Sequence, residues 1–222
     1  MEEYHLYIKF LHVLAFAYWL GPDWGVYVNS SYVARADLPV DERRRFLVAA
    51  LRIDLLPRSS LILLLPLGLQ LARNLALIAI PAWAMWLIWL GGIAWLLLSW
   101  TVYRNRGKAL AMRLSRIDNG IRMLLAVVLI GLSAYALLTG EVVSGRWLAA
   151  KIGAFGLLLV LGLMLRKVMG GWAEGFARLQ REGSTPATEA VFASSLAKAR
   201  PIVYVFWGTS ALMALLGTAK PF

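Results

Sequence analysis

The 222-residue sequence contains no cysteine and only two histidines. The absence of cysteine excludes disulfide bonds, thiolate catalysis, cysteine-ligated zinc and iron–sulfur clusters. The sequence also lacks HExxH, GxSxG, Walker A and GxGxxG patterns, so it has no recognisable motif for zinc proteolysis, serine hydrolysis or nucleotide chemistry. Its seven methionines are scattered, which weakens an interpretation as a copper relay built from thioether ligands.

Hydrophobic residues are abundant, at 60% of the chain, whereas soluble domains hold their apolar share near half. Apolar runs of roughly 20 residues recur, and each is long enough to cross a hydrocarbon core of about 30 Å. Because backbone polar groups in lipid need internal partners, these runs are predicted to be helices. The predicted fold is an all-α, polytopic transmembrane bundle in a single domain, 1–222. Its six helices are expected at about 6–33, 56–77, 82–103, 119–139, 147–166 and 201–219.

Acidic residues are few, 12 against 23 Lys and Arg. Eighteen of these basic residues fall in three segments, 35–58, 104–122 and 166–200, with six in each. If all three segments are cytoplasmic, the positive-inside rule is met at every crossing and both termini lie outside. The charge therefore predicts a multi-pass protein of the inner (cytoplasmic) membrane that contacts the lipid bilayer and no nucleic acid.

A short internal repeat is visible at an offset of 64 residues. It predicts that the second and third helices are a parallel duplicate of the fourth and fifth. The motif Arg52-Ile53-Asp54 with Arg58 recurs as Arg116-Ile117-Asp118 with Arg122, and Trp83 and Trp147 keep the same offset.

The repeated Asp and Arg residues stand four apart, at the predicted cytoplasmic starts of helices. Asp54 and Asp118 are suited to capping, and each is spaced to pair with its arginine. In a functional interpretation, Arg58 and Arg122 bind an anionic group such as a porphyrin propionate, a quinone carbonyl or a lipid head group. The sequence leaves both interpretations open.

Helix 1 holds most of the ionisable groups that the bundle would enclose, and such groups tend to mark function. His12, Trp19 and Asp23 are spaced i, i+7 and i+11, which returns them to nearly the same helical face. His12 is the best candidate for an axial haem ligand, because only His5 otherwise offers an imidazole. The alternatives are a histidine hydrogen-bonded within the bundle and a ligand of another metal.

Lys151 lies near the outer end of the fifth predicted helix, where it has a structural and a functional interpretation. A lysine at this depth can extend its ammonium group to the interface. The alternative is that Lys151, like Arg58 or Arg122, holds a propionate or a substrate carboxylate.

Three short motifs resemble those of HemJ-type protoporphyrinogen oxidases and the wider set of CopD-like membrane proteins. The motifs are Lys9-Phe10-Leu11-His12 with Trp19 and Gly21, Trp147-Leu148 with Lys151, and Lys220-Pro221-Phe222. The resemblance covers helices 1, 4, 5 and 6, about 110 residues, and leaves helices 2 and 3 as additions. It implies b-type haem, with His12 as ligand and Lys151 as a functional cation. The chain departs from the family where Lys198-Ala199-Arg200-Pro201 replaces an asparagine and a glutamate.

Three functions follow as hypotheses. The first is a haem-binding membrane redox protein, an oxidoreductase of HemJ/CopD-like type with one haem b. The second is a non-catalytic anchor or scaffold for partner subunits or for a homo-oligomer. The third is a copper or small-solute transporter whose path is lined by Asp23 and by a kink that Gly21-Pro22 can introduce into helix 1. In the first hypothesis Asp23 would have a catalytic role.

Overall fold

A computed structural model describes residues 2–221, over which the chain forms eight helices and no strand. The all-α prediction is therefore confirmed. Phe222, the last residue of the third motif, lies outside the described residues. The helices are α1 (Glu2–Val33), α2 (Val40–Ile53), α3 (Leu55–Asn74), α4 (Ala82–Arg104), α5 (Ala109–Thr139), α6 (Arg146–Met169), α7 (Trp172–Glu182) and α8 (Pro186–Ala219).

Four helical segments are long and apolar enough to cross a membrane: α4, α5, α6 continued by α7, and α8. The chain is therefore a helical membrane protein with lipid-facing surfaces. Helices α1 and α3 form near their predicted positions but are not among these four. Both carry polar side chains along the helix, such as His12 and Asp23 in α1 and Gln70 in α3, which lower their hydropathy. Their crossing of the membrane stays a prediction.

Two of the predicted membrane helices are longer than expected. Helix α5 begins at Ala109 and not near 119, and the helix expected at 201–219 is the second half of α8, which begins at Pro186 and runs unbroken through Pro201. Proline removes one helical hydrogen bond and usually ends a helix. Here a buried stripe continues on both sides of Pro201, including Ala199 and Val203, so packing outweighs the local penalty.

The start of α8 follows a pattern that the sequence shows. Thr185 is the N-cap and Pro186 is the first helical residue, as their order predicts. Thr185 and Thr188 form a reciprocal capping box, in which each side chain accepts a hydrogen bond from the other residue's backbone N–H.

Helix α6 lies at the centre of the bundle, packed between α5 and α8, while α1 packs on α3. Leu158 and Leu159 of α6 are fully buried. A Cβ atom at Gly156 would stand 2.8 Å from Ile130 Cγ1 and 3.1 Å from the Ala126 carbonyl oxygen. Glycine therefore lets the backbones of α5 and α6 approach closely, as small residues do between membrane helices.

A second, smaller core joins α2, α7 and the first turns of α8 to the end of α1. It contains Val33, Trp172, Phe176, Leu179 and Phe192. Trp172, Phe176 and Leu179 recur at helical spacing, so they lie on one face of α7. Arg43, only 1% exposed, donates from Nε to the Val33 carbonyl at 2.8 Å and pairs with Glu189 at 3.0 Å. Its guanidinium carbon lies 4.7 Å from the centroid of the Phe192 ring.

The two ends of the bundle differ in their connections. At one end, the segments 35–58, 104–122 and 166–200 join the helices, and we call it the arginine end. The other, the cavity end, holds the first turns of α1, the last turns of α8 and the links after α3 and α5. These two links are tied by the backbone hydrogen bond from Ser144 N–H to the Leu77 carbonyl, 2.7 Å.

Candidate functional site

A cavity of about 550 Å³ lies between α1, α3, α6 and α8 at the cavity end. This volume is within the range of ordinary ligand pockets, about 300–1,000 Å³. Its walls are mainly apolar and aromatic, and Phe16, Trp19, Leu65, Leu129, Phe155 and Met213 are among them. The cavity is thus shaped for a sizeable apolar molecule.

The polar groups of the cavity are nearly all basic. They are His5, Lys9 and His12 of α1, Lys151 of α6, and Lys220 just after α8. Within residues 2–221, no Asp or Glu lines the cavity and no carboxylate forms an ion pair with Lys151. An apolar space with unpaired cations at its rim suits an apolar ligand that carries anionic groups.

His12 projects from α1 toward a glycine of α3. A Cβ atom at Gly68 would stand 3.2 Å from the imidazole Cε1 and 3.8 Å from Nδ1, so glycine at this position leaves room for the ring. Nδ1 is buried and has no hydrogen-bond partner in the described part of the chain. A buried nitrogen without a partner is unusual in a purely structural histidine.

Lys151 has a similar arrangement on α6. A Cβ atom at Gly217 of α8 would lie 2.6 Å from the Lys151 ammonium nitrogen. The sequence singled out His12 and Lys151, and the structure brings both to one cavity. It did not single out Gly68 and Gly217. Both are glycines inside a helix. Because glycine destabilises a helix by about 1 kcal/mol relative to alanine, its presence there can indicate that another group packs closely against the backbone.

Asp23, by contrast, does not line the cavity. It lies eleven residues after His12, about 16 Å further along α1. Its Oδ2 accepts a hydrogen bond from Trp207 Nε1 of α8 at 2.7 Å. Of the three residues predicted to share a face of helix 1, His12 and Trp19 line the cavity, whereas Asp23 contacts Trp207.

Arg58 and Arg122 also lie away from the cavity, at the arginine end. The predicted pairings four residues apart are present, Asp54 with Arg58 and Asp118 with Arg122. Asp118, however, lies well inside α5, because that helix begins at Ala109. Fifteen residues of α6 separate Lys151 from Arg166, the partner of Asp118, which is about 22 Å along the helix axis.

Residues 2–221 contain no group of three or more His, Asp or Glu side chains placed to hold a metal ion. A metal ion carried by a macrocycle does not need such a group, because the macrocycle supplies most of its ligands and the protein supplies one or two axial ones.

No family model matches this chain, and neither do any curated protein or any solved structure. The class of the protein, a helical membrane protein with a basic, largely apolar cavity, therefore rests on its own sequence and structure.

Proposed function

We propose that the protein is a haem-binding redox protein of the membrane, similar to the HemJ and CopD-like proteins, with His12 as axial ligand of one b-type haem. The observation that carries this proposal is the cavity itself. It is large and apolar, an imidazole and unpaired ammonium groups line it, and no described carboxylate does. Haem has matching chemistry, an apolar ring with an iron and two carboxylates.

Different residues of the cavity would bind the iron and the carboxylates of the haem. His12 offers a neutral imidazole for the iron, and the absence of a side chain at Gly68 leaves room for that ring. Lys151, with Lys9 and Lys220, is suited to pair with carboxylates. Of the three residues that the sequence suggested for this role, Lys151 lines the cavity, and Arg58 and Arg122 do not. The bound haem would supply one-electron chemistry, and the apolar walls would exclude water from it.

A spectrum tests the proposal. The protein is purified in detergent, supplied with hemin, freed of excess hemin, and measured in reduced and oxidised forms. We expect a Soret band that shifts on reduction, and we expect His12→Ala to abolish it. His5→Ala changes the other histidine at the cavity and should retain most of the band. If the wild-type protein shows no Soret change, or if His12→Ala binds hemin as well as the wild type does, the proposal fails.

We further propose that the arginine end faces the cytoplasm and that the membrane is the inner membrane. The support is the clustering of basic residues at this end, together with the placement of His5 of α1 and Thr218 of α8 at one cavity. Because the sequence lacks cysteine, single introduced cysteines report cleanly. In intact cells, a membrane-impermeant maleimide should label Ser144→Cys and spare Lys108→Cys. The reverse labelling would contradict this orientation.

A further inference from the structure

Four arginines from four different segments meet at the arginine end. They are Arg58 of α3, Arg106 of the loop between α4 and α5, Arg122 of α5 and Arg166 of α6. Together with Asp54 and Asp118 we call them the arginine cluster. Arg122 and Arg166 both pair with the carboxylate of Asp118, Arg58 pairs with Asp54, and Arg106 lies near enough to Arg58 and Asp54 for their charges to act on it.

The inner part of the cluster is held in place by Asp118, which is only 1% exposed. One carboxylate oxygen of Asp118 accepts a hydrogen bond from Trp95 Nε1 at 2.6 Å. The other oxygen accepts from Arg122 at 3.3 Å and from Arg166. Arg122 also lies over the Trp95 ring, with its guanidinium carbon 5.1 Å from the centroid. The guanidinium planes are therefore held in fixed positions.

The charges of the cluster do not balance. Three of the four guanidinium groups share the two carboxylates and Arg106 forms no ion pair among the described residues, so the cluster has an excess of two positive charges. Arg122 is 3% exposed, and its Nη2 has no hydrogen-bond partner within residues 2–221. Burial lowers the pKa of the Arg106 guanidinium, and Arg58 lowers it further. Buried donors on charged groups are costly to leave unpaired, so this arrangement favours an added anion.

We infer that the arginine cluster binds a phosphate-bearing anion. Guanidinium groups match the geometry of phosphate oxygens and can bind them through paired hydrogen bonds. The Arg58 and Arg166 side chains are 17% and 25% exposed, so an anion can reach them from outside the bundle. The outer members of the cluster, Arg58 near the start of α3 and Arg106 in a loop, lie where anionic phospholipid head groups and soluble phosphate are both accessible.

The test compares two sources of phosphate and three forms of the full-length protein in detergent. Dioleoyl phosphatidylglycerol is titrated and followed by native mass spectrometry, with dioleoyl phosphatidylcholine as the zwitterionic reference. Inorganic phosphate is tested separately by its effect on Tm. Arg122→Gln removes a buried ion-pair partner and risks misfolding, so the variant is Arg106→Gln, in a loop. The matched control is Arg116→Gln, an exposed arginine of α5.

We expect the wild type and Arg116→Gln to bind phosphatidylglycerol in preference to phosphatidylcholine. Arg106→Gln should bind it about tenfold more weakly, the factor that corresponds to about 1.4 kcal/mol from one charge-assisted hydrogen bond. If phosphatidylglycerol shows no preference but inorganic phosphate raises the Tm of the wild type and not of Arg106→Gln, the inference holds with soluble phosphate as the ligand. Failure of both probes, or equal behaviour of Arg106→Gln and Arg116→Gln, overturns it.

Discussion

The two ends of the bundle are both rich in basic residues but arrange them in opposite ways. At the cavity end, lysines and histidines line an apolar space without a described carboxylate among them. At the arginine end, guanidinium groups pair with Asp54 and Asp118, and that of Arg122 lies over the Trp95 ring. Lysine suits the first arrangement as a mobile point charge, and arginine suits the second as a rigid planar donor. Unpaired cations beside a cavity indicate a ligand, whereas paired ones also serve the fold.

Four helical segments are long and apolar enough to cross a membrane, and α1 and α3 are not among them. Helices α1 and α3 supply His12 and Gly68 to the cavity, and Asp54 and Arg58 stand where α3 begins. Polar side chains that face the interior lower the hydropathy of a helix without exposing those groups to lipid. Helices α4 and α5 instead turn large apolar side chains outward, such as Trp86 at 71% and Leu138 at 87% exposure.

The largest expected effect comes from the paired charges. Asp118→Asn removes the charge that Arg122 and Arg166 share, and leaves the buried Arg122 and the partly buried Arg166 without their counter-ion. Removing one partner of a buried ion pair typically costs about 3–5 kcal/mol. We therefore expect a marked fall in the free energy of unfolding, measured by denaturant titration in detergent.

The control for Asp118→Asn is the same change at an exposed ion pair. Asp37→Asn breaks the pair with Arg35, in which both side chains are at least half exposed. Exposed pairs contribute little because water and salt screen them, so no measurable loss is expected. Equal stability of the two variants would show that the Asp118 network does not support the fold.

Much of the fold could be predicted from local patterns in the sequence. The apolar runs indicate helices, and the spacing of Asp118 and Arg122 indicates a pair one turn apart, as observed. A pattern within one helix does not show which neighbouring helix each of its residues contacts. His12, Trp19 and Asp23 share a face by spacing, yet Asp23 meets Trp207, 184 residues later. Contacts of this kind depend on the rotation and tilt of packed helices, which no local pattern contains.

The candidate site was predictable only in part for the same reason. His12 and Lys151 stand out because ionisable groups are rare in apolar helices. The repeat that links Asp54 to Asp118 does not reveal that Asp118 is almost fully buried while the Asp54 side chain is 24% exposed. The burial of Arg43 was not predicted either, because it depends on the packing of α2 against α7 and α8.

At the cavity end, loss of a charge is expected to have a smaller effect on stability, and to leave it unchanged or raise it. Lys151→Gln removes an ammonium group that no described carboxylate neutralises. Because an unpaired charge in a largely apolar surrounding is unfavourable, the ligand-free variant should unfold at the same Tm as the wild type or at a higher one. Hemin binding should weaken about tenfold, as for the loss of one charge-assisted contact to a carboxylate.

Lys167→Gln is the matched control for Lys151→Gln, since it makes the same change at an exposed lysine of the same helix. It should leave hemin affinity and Tm unchanged, so a loss of affinity confined to Lys151→Gln would locate the carboxylate contact at the cavity. A fall in the Tm of ligand-free Lys151→Gln comparable to that of Asp118→Asn would instead mean that Lys151 is a structural residue. The contrast between a cavity end whose cations have no described counter-ion and an arginine end whose Asp118 ion pairs support the fold would then be lost.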